Sequence, residues 1–264
     1  MGDGINVEQR AGIDSQTTQI GNQNNYYGMT PQEACQMAIN LFYENFPKLK
    51  QYAKEVIDQR VSEYMMAIQE KLESNDIVDL TPFIDPDVQY ALYESQKTYA
   101  RFGGKDKLGI LSELVVQRIQ HNNESIAFKV AIDKAIEIAP LLNSTQLDYL
   151  SLAFLCCRVK FLSIKNVDDL HSHLVKISIA FKDADFSSAA YLNMLGCLDL
   201  RLHDTVEYYS KTYNIEQSVV RSVCPEIILQ TTGDFSTSHI GTILAILNIE
   251  SKTDIRLEPS KWIY

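Results

Sequence analysis

At Thr30-Pro31-Gln32-Glu33 the chain changes character, and from there on it is written largely in helical spacing. Thr30 fits an N-cap, Pro31 the first helical position and Glu33 the third, a strong combined start for a helix. Apolar residues then recur at Ala34, Ala38, Leu41 and Phe42, and again at Leu49, Ala53, Val56, Ile57, Val61, Tyr64, Met65, Ile68 and Leu72. Three-and-four spacing of this kind is an amphipathic stripe, which has to be covered by another element or another chain. Pro47 interrupts it by removing a backbone donor. The stretch 31–72 therefore reads either as two helices folding back on the body or as one helix kinked at Phe46. Uninterrupted, it would reach roughly 60 Å and suit a coiled-coil-like interface.

Further helices follow with clear punctuation. Asp85-Pro86-Asp87 opens one that Gly103-Gly104 stops, and Lys107 to Gln120 places Leu108, Leu111, Leu114, Val115 and Ile119 on one face. Residues 125–142 form the next. Ser144 or Thr145 then caps a helix over about 145–163 that is apolar nearly all round and is expected at the buried centre. Asn166 with Asp169 opens 167–181, 187–200 reads as another helix, and Asp204 with Glu207 opens 205–213. A last amphipathic helix is expected over Ser236 to Asn248. The tail Asp254 to Tyr264 reads as extended and docked, because it carries the only tryptophan, Trp262. No fixed-period repeat links these segments.

Residues 1–29 obey a different rule. They hold five of the eleven glycines, four asparagines and four glutamines, and show no helical periodicity. Ile5 and Val7 alternate locally, and Ile13 and Ile20 stand alone between polar runs, as in short strands punctuated by glycine turns. The expected fold class is thus all-α, a multi-helix body with a long N-terminal helix or helix pair, preceded by a short β-type Gly/Asn/Gln-rich arm. The expected domains are the arm, 1–29, and a helical domain, 30–264, with a sub-boundary near 76–84.

Composition narrows the partners. At 264 residues, 45% hydrophobic and 22% charged, the bulk sits on the globular average and can bury about 70–75% of its unfolded surface. A formal charge of −10 without any run of basic residues argues against general nucleic-acid binding and against adsorption to anionic lipid. The N-terminus Met1-Gly2-Asp3-Gly4 lacks the basic and apolar regions of a signal peptide, and no stretch nears the roughly 18 continuous apolar residues of a spanning helix. A reduced cytoplasm is the expected compartment. The five cysteines, Cys35, Cys156, Cys157, Cys197 and Cys224, show no C-x-x-C spacing, and the adjacent pair falls inside an apolar run where thiols act as small hydrophobes.

Candidate chemistry is thin. His171 and His173 lie two apart, so on a helix they point about 200° from each other and cannot share an ion. His121 and His203 stand beside helix ends, where dipole or solvent contacts account for them. Arg101-Phe102-Gly103-Gly104-Lys105-Asp106-Lys107 has glycines that could cradle a phosphate, yet it lacks both the phosphate-loop spacing and a preceding strand, which favours a helix stop and linker. Asp76, Asp79, Asp85 and Asp87 cluster without the ligand order of a calcium loop. No catalytic, metal-ligating or cofactor-binding residue is assigned, no cofactor is expected, and the reading leans away from an enzyme.

The arm carries the most information. Gln9 to Asn24, reading QRAGIDSQTTQIGNQN, resembles short Gln/Asn/Gly motifs of the amyloid-signalling type at the N-termini of bacterial defence and signalling proteins. The resemblance implies β-arches or β-rolls built between chains. Side-chain amides can ladder along stacked strands and glycines permit the turns. The body, through Asp85-Pro86-Asp87, Tyr99-Ala100-Arg101, Asp106-Lys107-Leu108-Gly109 and His239-Ile240-Gly241, is similar to an uncharacterised bacterial family with such an arm before a helical domain. Members of that family more often read Ala-Gly-Asp-Asn where this chain has Ala11-Gly12-Ile13-Asp14. The departure bears on strand register and leaves Gly12 at the turn.

Two functional classes follow. One is a self-associating interaction or sensor protein of bacterial antiviral defence, a homo-oligomer whose partner is a protein or phage component. Its contacts between copies would be made by Ile5, Val7, Gln9, Gly12, Ile13, Gln19, Ile20 and Gly21 of the arm with Leu41 and Phe42 of the first helix. The other is a helical ligand-binding or catalytic domain with a cryptic interhelical site. Both share one expectation: without chelating or pairing spacing, chelator and reductant leave the melting curve unchanged, and a shift of several degrees with either reagent contradicts the reading.

Overall fold

Helix starts written in the sequence become caps in the folded chain. The structure, a computed structural model, describes residues 31–74, 81–231 and 233–263, and 77% of these are helical. The eleven α-helices among them are α1 (Pro31–Ser74), α2 (Pro86–Phe102), α3 (Lys105–Gln120), α4 (Ile126–Ile138), α5 (Ser144–Arg158), α6 (Val167–Ala180), α7 (Ala189–Met194), α8 (Thr205–Tyr213), α9 (Gln217–Val223), α10 (Glu226–Leu229) and α11 (His239–Lys252). Asp85, Asn166 and Asp204 each accept a backbone N–H from the first turn they open, at 2.9, 2.8 and 3.0 Å. At α5 the cap is Asn143 rather than Ser144 or Thr145. Its side chain takes the Gln146 N–H while Gln146 returns to the Asn143 N–H, and the closed capping box fixes the start one residue earlier.

Chain contacts divide the molecule at Ala53, into Met1–Ala53 and Lys54–Tyr264. In the first unit, α1 begins at Pro31 and the helix is unbroken at Pro47, so of the two readings of 31–72 the single helix holds. The arm residues Ile5, Val7, Gln9, Gly12, Ile13, Gln19, Ile20 and Gly21 lie outside the described residues.

In the second unit, the C-terminal part of α1 lies against α2. Tyr64 is fully buried, stacks on Tyr99 and donates to Ser95 at 2.6 Å, and Arg60 donates to the carbonyls of Ala100 and Arg101. Helices α2, α3 and α4 pack on one another, and α4 and α5 both pack on α11. Nine successive residues of α5, Asp148–Cys156, and nine of α11, Gly241–Ile249, are buried, so this pair forms the centre. The buried position of α5 matches its all-round apolar sequence. Helix α11, expected to be amphipathic from Ser236, instead starts at His239 after a Ser238 cap and is covered nearly all round.

Two further expectations give way for local reasons. The helix read over 187–200 ends at Met194. Gly196 takes φ 75°, a conformation open to glycine, and the Cys197 N–H returns to the Leu192 carbonyl at 2.9 Å, closing the helix end. The chain then leaves as β1 (Leu198–His203), which pairs antiparallel with β2 (Gly233–Thr237), Leu198 opposite Thr237 and Leu200 opposite Phe235, with an irregularity before His203. The period-two run Leu198-Asp199-Leu200-Arg201-Leu202 is the signal that the helical reading passed over. The tail docks as expected through Trp262, edge-on to Phe154 with ring centroids 5.0 Å apart, but within a 3-10 turn over Pro259–Trp262.

The junction of α11 with the turn before β1 is tight enough to dictate a residue. A Cβ on Gly241 would fall 1.9 Å from the Cys197 carbonyl oxygen, whereas one on Gly109 in α3 would meet nothing within 4 Å. Gly241→Ala is expected to lose about 2–3 kcal/mol, because backbone must move to admit the methyl group. Gly109→Ala is expected to gain about 0.5–1 kcal/mol from helix propensity. Urea denaturation of the two variants beside the parent measures both, and equal stabilities would contradict this packing.

Candidate functional site

Buried charges in the second unit are first of all structural. Asp148, 2% exposed, accepts from Lys252 at 2.6 and 2.8 Å and from Asn248 at 2.9 Å, locking α5 to α11. Arg118, 1% exposed, faces Asp133 at 3.4 Å and donates to Asn122, which in turn donates to the α2 cap Asp85. Burial outweighs the Arg118 charge at Asp133 and holds its carboxyl above the usual range. Among the described residues Cys156, Cys157, Cys197 and Cys224 form no disulfide. Burial pushes Cys156 up to about 11 and Cys197 and Cys224 to about 12, so they are poor nucleophiles at neutral pH.

The motifs weighed in the sequence do not converge. His171 bonds the Val223 carbonyl at 2.8 Å, while the His173 ring lies 3.9 Å from that of Phe161. Burial, then Lys176, lowers the His173 imidazole below its ordinary range. Gly103 and Gly104 join α2 to α3 with positive φ, and the Arg60 guanidinium covers the spot where a Gly103 side chain would stand. Arg101 and Lys107 sit over the Phe102 ring at 4.8 and 4.9 Å. Asp85 is an N-cap, and Asp76 and Asp79 lie outside the described residues.

Leu41 is half-exposed on α1, and the side chain of Phe42 lies outside the described residues. Every described side chain from Gln36 to Ala53 is exposed, and these include Met37, Ile39, Tyr43 and Tyr52.

An open groove of about 620 Å³ lies in the second unit, between the end of α3 and the strap that follows α11. Gln117 and His121 form one wall; Glu250, Leu257, Glu258 and Trp262 belong to the other. The strap is held in place by its own polar contacts. Arg256 caps the end of α11 by donating to the carbonyls of Glu250, Thr253 and Ile255, and Glu250 accepts the Leu257 N–H at 2.9 Å. Lys261 pairs with Glu258 and is the main cause that keeps this carboxyl below its usual range. Sequence reading placed His121 at a helix end but missed the groove. More than a hundred residues separate its walls, and no local spacing marks either one.

The model of an uncharacterised protein family matches residues 28–234. No curated protein and no solved structure matches the chain.

Proposed function

The chain belongs to that uncharacterised family, and we propose that it is a self-associating interaction protein whose copies assemble through Met1–Ala53. The observation that carries this reading is the exposure of Met37, Ile39, Leu41, Tyr43 and Tyr52 on one 44-residue helix. Fully burying a large apolar side chain is worth about 1.5–3 kcal/mol, so covering this segment with a second copy supplies a driving force. The arm supports the same reading from composition. Ile5, Val7, Ile13 and Ile20 are too few apolar residues to offset ordering one copy, at about 1–2 kcal/mol per residue, whereas strands of several copies share backbone partners.

The resemblance of residues 9–24 to the arms of bacterial defence and signalling proteins supports a setting in cytoplasmic antiviral defence. In that setting the helical body senses a protein or phage component. No helix among the described residues is long and apolar enough to cross a membrane. A second reading, a helical ligand-binding domain, is favoured by the groove between α3 and the C-terminal strap.

Light scattering after size exclusion tests the assembly reading on the parent, on a chain lacking residues 1–29, and on the Met37→Asp/Leu41→Asp double variant. The parent is expected above monomer mass, and both altered chains at lower mass with unchanged helix content. A monomeric parent, or altered chains that scatter like the parent, would sink the reading.

A further inference from the structure

The groove has an electrostatic bias that its residue count hides. It sits at the carboxyl-terminal ends of two helices: His121 is the C-cap of α3, and Glu250 lies in the last turn of α11. The end of α3 carries about half a negative charge, whereas the carbonyls at the end of α11 are covered by Arg256. Of its two carboxylates, Glu258 is neutralised by Lys261, while Glu250 has no cation within ion-pair distance among the described residues. The Arg256 guanidinium is spent on three backbone carbonyls, and the nearby Lys252 on Asp148. Gln117 lines the opposite wall, its Nε2 donating to Glu113 at 3.2 Å. Leu257, Pro259 and Trp262 supply apolar surface beside these groups.

We propose that this groove binds an organic ammonium group carried on an apolar body, with Glu250 as counter-charge and Trp262 against the apolar part. Lys261 pairs with Glu258 and the Arg256 guanidinium is turned to the backbone carbonyls at the end of α11, so Glu250 is the carboxylate of the groove left without an ion pair. The volume falls within the roughly 300–1,000 Å³ of small-molecule sites, and an aromatic wall adds cation–π attraction. The ammonium belongs either to a free amine or to a lysine side chain of a partner. This inference rests on the ligand-binding reading alone, so its failure leaves assembly through Met1–Ala53 untouched.

Trp262 is the only tryptophan of the chain, so tryptophan emission comes from the wall of this groove, where the ring also packs on Phe154. Phenethylamine, 3-phenylpropionate and Nα-acetyl-lysine amide are titrated against the full chain, with calorimetry in parallel. The expected result is a saturable emission change and heat with an amine and none with the carboxylate. Tighter binding of the lysine amide assigns the site to a partner's lysine, and tighter binding of phenethylamine to a free amine. Glu250→Gln keeps the acceptor for the Leu257 N–H and is expected to weaken amine binding at least tenfold at an unchanged melting temperature. Absence of saturable binding by both amines at millimolar concentration, equal binding of amine and carboxylate, or parent-like affinity in E250Q overturns the proposal. The comparison of charges on the parent stands even where the variant does not fold.

Discussion

The close approach of α11 to the carbonyl of Cys197 is the constraint from which the rest of the body follows. Ser238 anchors that junction by donating to the Gly196 carbonyl at 2.6 Å, while its N–H reaches Cys197 and its hydroxyl oxygen accepts from Gly241. With the start of α11 pinned there, its apolar residues run through the interior, and α4 and α5 both pack on it. The far end is held by charge. Asp148 on α5 is buried, and Lys252 and Asn248, one helical turn apart on α11, partner its carboxylate. A buried ion pair of this kind adds little net stability, but removing one partner leaves an uncompensated charge, so it fixes which face of α11 meets α5.

That geometry also explains the C-terminal strap. Because α11 ends beside α3, the chain beyond Lys252 must turn back across the end of α3. Arg256 secures the turn on the carbonyls of the helix it has just left. Trp262 then closes on Phe154 while its own carbonyl accepts from Arg158 at 3.5 Å. The groove is what remains between strap and α3. It is a by-product of packing that leaves Glu250 without a cation.

Much of the architecture was legible because helix starts are local. Asp85, Asn166 and Asp204 announce their helices within four residues, and the apolar run around Phe154 reports burial on every side. What escaped was set by partners distant in sequence. The strand Leu198–His203 is six residues long and gains its meaning only from Gly233–Thr237, while Gly196 looked like one more residue in a helical run. The short helices Gln217–Val223 and Glu226–Leu229 offered too few turns for periodicity to show. His121 was visible and Glu250 was not singled out, since an acidic residue near a helix end normally needs no explanation. The single helix through Pro47 is a case where a strong breaker signal left two readings, and the folded chain takes the longer one.

Native-state hydrogen exchange tests the central claim, that the α5–α11 pair with its Gly241 junction organises the body. Amides of Asp148–Cys156 and Gly241–Ile249 are predicted to exchange last and together, opening only with global unfolding, while those of α6 and α9 exchange earlier. If α11 exchanges well before α5, or if helices away from this pair are the slowest, the pair is not the organising core and the account fails.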